Sequence, residues 1–576
     1  MTRARWGALL LIPLVVPVLA RATAWAQDAD QGTHGILTID VPGVSFEVLM
    51  SIPEVVSLAR YGGAGLMANA ENMLLPFPGV PAGTPVSADV PREIHVRLDP
   101  DELGLHGVGK EIGELIETHS NEELLVLVVS SRPSDEMVAA NDELRGIAMA
   151  VGERDELLGA DDPEGSLTSD STRRDGVVVG EDVQATISDY GGGGLLVAGD
   201  PPPLGSPIEI IEGPPPFELH ERYLAQRQMY VPVGTAAAIY LAIAGLGAIA
   251  VLALGDRVPN GVRRVLGWAS LSVPVLATAL LAAGHLPELT YATVVPFVAL
   301  VTVFGTLAFA PVERTDVLLV PVGIGIVVLA FFAFEAVLEW SGALTPFVGG
   351  SQLDGGRFYG LPNVFLGVLI GSSLWIAHRL STAAGVALLV AVALFAGLPY
   401  LGSDFGGGFS LFATAGLWLA VRERHRLGVW KGIGVVVGVT LLGTAVILIA
   451  HAIAPLETHV TQFEEGVSGL GGVVERFVDR LQVGFDLIAR NPFALVPVLG
   501  LPVAIAAVLW PPAPLRPSLE RSPAWRDAIL VTLLAGVVAY LANDTGPAAA
   551  GFAFGMGLGG LLGVSLLLGA EKMVNR

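Results

Sequence analysis

The feature that most constrains this chain is a series of eleven apolar segments that begins at residue 231. A membrane-spanning helix needs about 20 consecutive apolar residues. The segments are 231–254, 265–284, 291–310, 316–337, 361–378, 382–399, 408–421, 432–453, 493–510, 527–542 and 549–569. They predict that residues 231–576 form a polytopic α-helical membrane domain with about 11 transmembrane helices.

The composition agrees with a membrane protein and excludes several kinds of site. Of 576 residues, 52% are hydrophobic and 15% are charged, whereas a soluble protein carries about 25% charged residues. The chain has no cysteine, which excludes disulfides, thiolate metal sites and a cysteine nucleophile. A net charge of -23 disfavours binding to nucleic acid.

The N-terminal residues and the loop charges together predict a topology. Residues 1–26 have the pattern of a signal peptide, with Arg3 and Arg5 before the apolar run Trp6–Ala20. An uncleaved anchor is the alternative. Either reading places the following domain outside the cytoplasm, and the basic residues between the apolar segments then fall mainly on the inner loops. We therefore expect a multi-pass plasma-membrane protein with an extracytoplasmic N-terminal domain and a cytoplasmic C-terminus.

Residues 27–215 have lower hydropathy and a pattern of short alternating elements. Strands alternating with helices predict an α/β domain with a mainly parallel sheet, followed by a linker at 216–230. The expected strands are Gly35–Asp40, Glu93–Leu98 and Glu123–Ser130; the expected helices are Pro53–Met67, Gly109–His119 and Asp135–Val151, the last capped by Ser134.

Two stretches of this domain resemble the alkaline phosphatase superfamily. IDVPGVSFEVLMSIPEVVSLARYGGAGLM, from Ile39 onward, is similar to the opening unit, in which Asp40 would occupy the position of a metal ligand. SLTSDSTRRDGVVVGEDVQATISDYGG, from Ser166 onward, is similar to the closing region. The nucleophile and the remaining ligands of the superfamily are missing, so the resemblance implies a degenerate alkaline-phosphatase-like ectodomain, a pseudoenzyme with Asp40 as a weak metal candidate. Arg173 and Arg174 are either a solvated loop pair or an anion contact.

Polar residues gather at the outer ends of the apolar segments. Arg357, Tyr359 and Asn363 fall at the outer end of the fifth segment, and Asp404 precedes the seventh. His459 lies in a long outer amphipathic segment, 454–492, and Asp544 follows the tenth apolar segment. Arginine suits phosphate binding, and a carboxylate or histidine can act as a general base. The alternative is that the arginine only reaches toward head groups and that the other residues form turns or caps.

RFYGLPNVFLGVLIGSSLW, which begins at Arg357, and GSDFGGGFSLF, which begins at Gly402, resemble the core of the O-antigen ligase and polymerase superfamily. That resemblance implies metal-independent glycan transfer from a polyprenyl-phosphate-linked carrier on the outer face, with no cofactor. Arg357 would bind the carrier phosphate, Tyr359, Asn363 and Asp544 would bind substrate, and Asp404 or His459 would activate the acceptor. Asp404-Phe405 departs from the Ser-Arg of that family.

The whole chain also resembles a family of bacterial polytopic membrane proteins without an established activity, which pairs such an ectodomain with such a membrane motif. Three functions therefore stay open. The first is an envelope glycan or lipid-carrier transferase. The second is a non-catalytic membrane protein whose ectodomain binds a wall component or partner. The third is a transporter or flippase. All three have membrane lipid as a partner, and none has nucleic acid.

Overall fold

A computed structural model describes most of the chain. The described residues are 35–68, 86–87, 93–119, 124–130, 144–152, 157, 165–169, 171–190, 205–212, 216–354, 359–453, 495–543 and 546–574. The predicted signal peptide, the Ser134 cap and the amphipathic segment 454–492 lie outside these residues and stay predictions.

The ectodomain contains one mixed sheet, formed in its described part by nine strands. The strands are β1 Gly35–Asp40, β2 Gly63–Ala68, β3 Val86–Ser87, β4 Glu93–Arg97, β5 Leu124–Val129, β6 Arg145–Gly152, β7 Gly165–Thr168, β8 Val177–Val179 and β9 Glu209–Glu212. Their order is β3-β4-β1-β5-β6-β2-β7-β9, with β8 also paired to β2. β1 is parallel to β4 and β5, but β6 is antiparallel to both β2 and β5. The sheet is therefore mixed, whereas the sequence predicted a mainly parallel sheet.

Helices pack against both faces of this sheet. They are α1 Phe46–Leu49, α2 Pro53–Tyr61, α3 Pro100–His119 and α4 Gly180–Tyr190. Alternate side chains of a strand point to opposite faces. Leu37 accordingly joins the cluster that contains α1 to α3, while Ile36 joins the cluster that contains Val183 of α4. This is an α/β sandwich, as expected.

Two predicted helical stretches are strands instead. The helix predicted for Pro53–Met67 ends at Tyr61, and GAGLMA continues as β2. The helix predicted for Asp135–Val151 is wrong over residues 145–151, which belong to β6. The two strands approach closely because Gly62 has no side chain: a Cβ there would lie 2.0 Å from the Met149 carbonyl oxygen. Pairing across the sheet overrides the local helix preference.

The rest of the chain is helical. The helices are α5 Phe217–Leu254, α6 Asn260–Leu271, α7 Val273–Ala282, α8 Tyr291–Leu307, α9 Ala310–Glu313, α10 Leu319–Val337, α11 Leu366–Ala377, α12 Thr382–Gly397, α13 Phe405–Arg422, α14 Arg424–Ile453, α15 Leu495–Leu509, α16 Arg516–Arg521, α17 Pro523–Ala542 and α18 Gly546–Val574. Among the described residues, six helices are long and apolar enough to cross a membrane, or seven if the bent pair α6 and α7 is one span. An integral membrane protein is therefore supported, and the count of about 11 spans stays a prediction.

The helical bundle has a buried centre and an exposed apolar periphery. The most apolar window of the segment Gly546–Glu571 is 72% buried inside the protein, whereas the corresponding windows of α5 and α14 are 17% buried. The backbones of α11 and α18 approach closely, since a Cβ on Gly367 would lie 2.3 Å from the amide nitrogen of Ala553. Small residues commonly permit such contacts between membrane helices.

Arginine ion pairs occupy the helix ends that lie away from the ectodomain. Arg264 bonds to Glu313 at 2.8 Å and Arg379 bonds to Asp316 at 2.6 Å. Arg424 lies 2.9 Å from Asp527. These arginines fall on the loops that the sequence places inside, so they are consistent with the predicted orientation, which stays a prediction. At the opposite end, the predicted linker 216–230 is helical from Phe217 onward.

Candidate functional site

The ectodomain and the membrane domain meet at the loop that carries Arg173 and Arg174. A buried carboxylate, Asp182 at the start of α4, fixes this loop. It accepts hydrogen bonds from the Ser169 hydroxyl at 2.6 Å and from the amide nitrogens of Val179 and Ser206 at 2.9 and 3.0 Å. Burial raises the pKa of Asp182, and these hydrogen bonds oppose the rise.

Arg173 contacts two separate segments of the membrane domain. Its guanidinium carbon lies 3.8 Å from the centroid of the Tyr359 ring, which is cation–π geometry. Its Nη1 donates to the Pro399 carbonyl at 3.1 Å. The residue has φ 53°, the left-handed region that non-glycine residues seldom adopt. Arg173 is therefore held in an uncommon conformation that directs its side chain onto the membrane domain.

Arg174 is buried and makes a second contact with the membrane domain. Its Nη2 donates to Gln352 Oε1 at 2.7 Å, and Gln352 Nε2 donates to the Gly360 carbonyl at 2.8 Å. Burial lowers the pKa of Arg174 to about 10, and the negative charges of Glu339, Asp175 and Glu335 oppose the change. The arginine pair is thus not simply solvated, because both residues contact the membrane domain; the anion contact stays a prediction.

Tyr359, predicted to bind substrate, belongs to this contact. It is 7% exposed and packs in the hydrophobic cluster of the ectodomain together with Leu353. The next residue, Gly360, has φ 83°, and a Cβ on it would lie 2.2 Å from the Gly402 carbonyl oxygen. The segment around Tyr359 is therefore part of the junction between the two domains.

The structure places the segments of Tyr359 and Asp404 side by side, because the Leu361 amide donates to the Gly402 carbonyl at 2.7 Å. Asp404 is fully buried and caps α13, accepting a hydrogen bond from the Gly407 amide at 2.9 Å. Asn363 opens a short 3-10 turn that leads into α11. Arg357, His459 and Asp544 lie outside the described residues, so the predicted site as a whole stays a prediction.

Asp40, the weak metal candidate, lies at the end of β1 and is 1% exposed. Its Oδ2 is 3.8 Å from Nε of Arg97. In the part of the chain that the structure describes, no group of three or more His, Cys, Asp or Glu side chains could hold a metal ion. Within those residues Asp40 is therefore not part of a set of three such side chains.

An ionisable pair that the sequence analysis did not identify lies at the end of the helical bundle that faces the ectodomain. Glu335 of α10 is fully buried, and its Oε1 is 2.5 Å from Nε2 of His285, whose side chain is 31% exposed. An ionisable residue inside a membrane helix suggests a functional site by default, and Glu335 stands inside the predicted span 316–337. The position of Glu335 in an apolar span was visible in the sequence, but its partner His285 lies 50 positions away in the chain.

Comparisons with known proteins found no family model, no curated protein and no solved structure that matches this chain. The chemistry of the junction is therefore inferred from its own residues. It combines two docking arginines, the paired loops around Tyr359 and Gly402, and an acid–base pair in the membrane domain.

Proposed function

We propose that this chain is a multi-pass envelope membrane protein whose phosphatase-like ectodomain is a non-catalytic module docked on the outer ends of the membrane helices. One observation carries the proposal. Arg173 and Arg174, the basic pair of the segment that resembles the phosphatase closing region, are both engaged by the membrane domain. Side chains used in this way support a structural role in place of anion binding.

The surroundings of Asp40 support the same proposal. Its carboxylate lies near the Arg97 guanidinium, and a cation beside a carboxylate weakens its attraction for a metal ion. We propose that the docked module binds a wall component or a protein partner on its remaining surface, while the membrane domain anchors it and receives the signal or substrate.

The test is complementation of a deletion strain with matched variants. Asp40→Asn is expected to behave as the wild-type chain, whereas Arg173→Ala combined with Arg174→Met is expected to reproduce the envelope phenotype of the deletion. Membrane levels of each variant are measured by immunoblot. Purified chain is also assayed with a phosphate monoester plus Zn²⁺ and Mg²⁺. Hydrolysis that is lost in Asp40→Asn contradicts a non-catalytic ectodomain.

A second candidate, glycan transfer from a lipid carrier, is favoured by a different observation. The two segments that resemble the ligase and polymerase core are hydrogen-bonded to each other through Leu361 and Gly402, as a shared site requires. The test is Arg357→Ala, which is expected to abolish a surface glycan while the protein inserts normally. Unchanged surface polymers in that variant contradict the transferase.

A further inference from the structure

We propose that His285 and Glu335 form a general-base site at the outer end of the membrane domain, which takes the proton of an acceptor hydroxyl. Glu335 is the positioning carboxylate, and His285 is the group that meets the acceptor. The proposal rests on the second candidate function, glycan transfer, and it adds a base to the residues that the resemblance to the ligases implied.

The geometry of the pair is that of a histidine oriented by a buried carboxylate. Glu335 Oε1 holds His285 Nε2 at 2.5 Å. His285 Nδ1 has no partner among the described residues, and the side chain is 31% exposed. A base that is fixed by one ring nitrogen and open at the other can accept a proton at the open atom.

The second oxygen of the carboxylate gives an independent observation. Glu335 is fully buried, and its Oε2 has no hydrogen-bond partner among the described residues. Leaving a buried charged acceptor unpaired costs about 1 to 3 kcal/mol or more, so such groups are rarely retained without use. Oε2 is inaccessible from outside, so Nδ1 of the partly exposed His285 is the acceptor that an incoming hydroxyl group can reach.

The turn that carries His285 is held from a third element. Arg222 of α5 donates to the carbonyl oxygens of Gly284 and Leu286 at 2.6 and 2.7 Å. Gly342 lies against the pair, since a Cβ there would be 2.6 Å from His285 Nε2 and 3.0 Å from Glu335 Oε2. The residue types at these positions therefore preserve both the orientation of His285 and the space beside it.

Two arginines from neighbouring elements lie near the pair and are compatible with proton removal by His285. Arg174 of the ectodomain lies within electrostatic reach of Glu335 and of Glu339, and Arg222 approaches from α5. Glu335 is near the end of the helix Leu319–Val337 and not at its middle. That position favours chemistry at the outer surface over a proton path through the membrane.

In the proposed step, the donor sugar is transferred from the carrier phosphate to the acceptor oxygen. The acceptor oxygen forms a bond to the anomeric carbon of the donor sugar while its proton passes to His285 Nδ1. The bond between that carbon and the carrier phosphate oxygen breaks, and the phosphate leaves with the electron pair. The proton then passes from His285 to the leaving phosphate or to water.

The first experiment measures the pair itself, independently of activity. Full-length protein in membranes is treated with diethylpyrocarbonate at a fixed neutral pH, and carbethoxylation is read at each histidine by mass spectrometry. Exposed His106 on α3 serves as the internal reference. Because Glu335 bonds to Nε2 and increases the nucleophilicity of the open Nδ1, Glu335→Ala is expected to lower the rate at His285 by about tenfold, the loss of one hydrogen bond to a charged group. An unchanged ratio of His285 to His106 overturns the pairing.

The second experiment measures the surface glycan in a complemented deletion strain. His285→Gln is expected to lower its synthesis by about 100- to 10,000-fold, the usual contribution of a general base. Addition of imidazole to His285→Ala is expected to restore part of the synthesis, which a merely structural histidine would not allow. Loss in Arg357→Ala with normal synthesis in His285→Gln overturns the base and leaves the transferase standing. Normal synthesis in both variants overturns the transferase and the base together.

Discussion

Removing the guanidinium of Arg174 gives the sharpest measure of how the ectodomain is held. Arg174→Met keeps an apolar stem in the buried position but removes the donor that lies 2.7 Å from Gln352 Oε1. A hydrogen bond to a charged group contributes about 1.5 to 3 kcal/mol. The burial that lowers the pKa of Arg174 to about 10 opposes this gain, so we expect the lower half of that range.

Because the chain has no cysteine, a single introduced cysteine is the one thiol that a maleimide can label. Leu353 is 1% exposed and packs in the ectodomain cluster although it belongs to the membrane domain. Leu353→Cys therefore reports separation of the two domains through its rate of reaction with a water-soluble maleimide. If separation limits labelling, about 1.5 to 2.3 kcal/mol corresponds to a rate increase of about 10- to 50-fold in Arg174→Met.

The matched control is Arg60→Met, an exposed arginine on α2, in the same Leu353→Cys background. It is expected to leave the labelling rate within about twofold, the usual scatter for independent sites. A rate for Arg174→Met that also stays within about twofold would refute the idea that this hydrogen bond holds the domains together. A large increase in both variants would assign the effect to net charge in place of the contact with Gln352.

Three further predictions address single residues. Asp182→Ala leaves three donors without their acceptor and is expected to destabilise the ectodomain by about 3 to 6 kcal/mol, measured as the shift in protease resistance of the full chain. Because burial raises the pKa of Asp182 above its ordinary 3.8, its contribution to stability is fully present below that value and is lost as pH rises through the folded pKa. Asp182→Asn should remove this pH dependence from thermal unfolding curves, and an unchanged slope contradicts the assignment. Gly360→Ala places a Cβ 2.2 Å from a backbone oxygen at φ 83° and is expected to raise maleimide labelling of Leu353→Cys above that of Arg174→Met, whereas Gly104→Ala, with open space around it, should not. Gly342→Ala is expected to displace His285 from Glu335 and to lower its carbethoxylation as Glu335→Ala does; a rate equal to wild type contradicts the close packing.

The sequence was sufficient where one local pattern decides the structure. GILTID forms a strand over the predicted residues Gly35–Asp40, because a buried apolar run bounded by polar residues has few alternatives. RGIAMAVG did not reveal β6, since alanine and methionine favour helix locally and only pairing with β2 and β5 makes it a strand. In the described part of the chain, six of the eleven predicted apolar segments coincide with helices long and apolar enough to cross a membrane, because hydrocarbon imposes both length and composition.

The contacts at the junction between the two domains could not be predicted from local sequence patterns. Arg174 and Gln352 are 178 positions apart, and no local pattern around either residue predicts their contact. The same separation explains Tyr359, whose predicted role rested on its neighbours Arg357 and Asn363, while its actual contacts come from the ectodomain. Glu335 could have been selected as an ionisable residue in an apolar span, but its pairing with His285 required the fold.

The helix Phe217–Leu254 has a mechanical consequence. Its 38 residues extend about 57 Å at 1.5 Å per residue, and Tyr223 in its first turns lies in the ectodomain core. Gln226 also donates to the Pro346 carbonyl at 2.5 Å. One helix thus continues from the ectodomain core into the first predicted span, and Pro232 removes one of its backbone hydrogen bonds. We therefore expect a displacement of the ectodomain to be passed to the first membrane helix, because the first turns and the apolar length belong to one element.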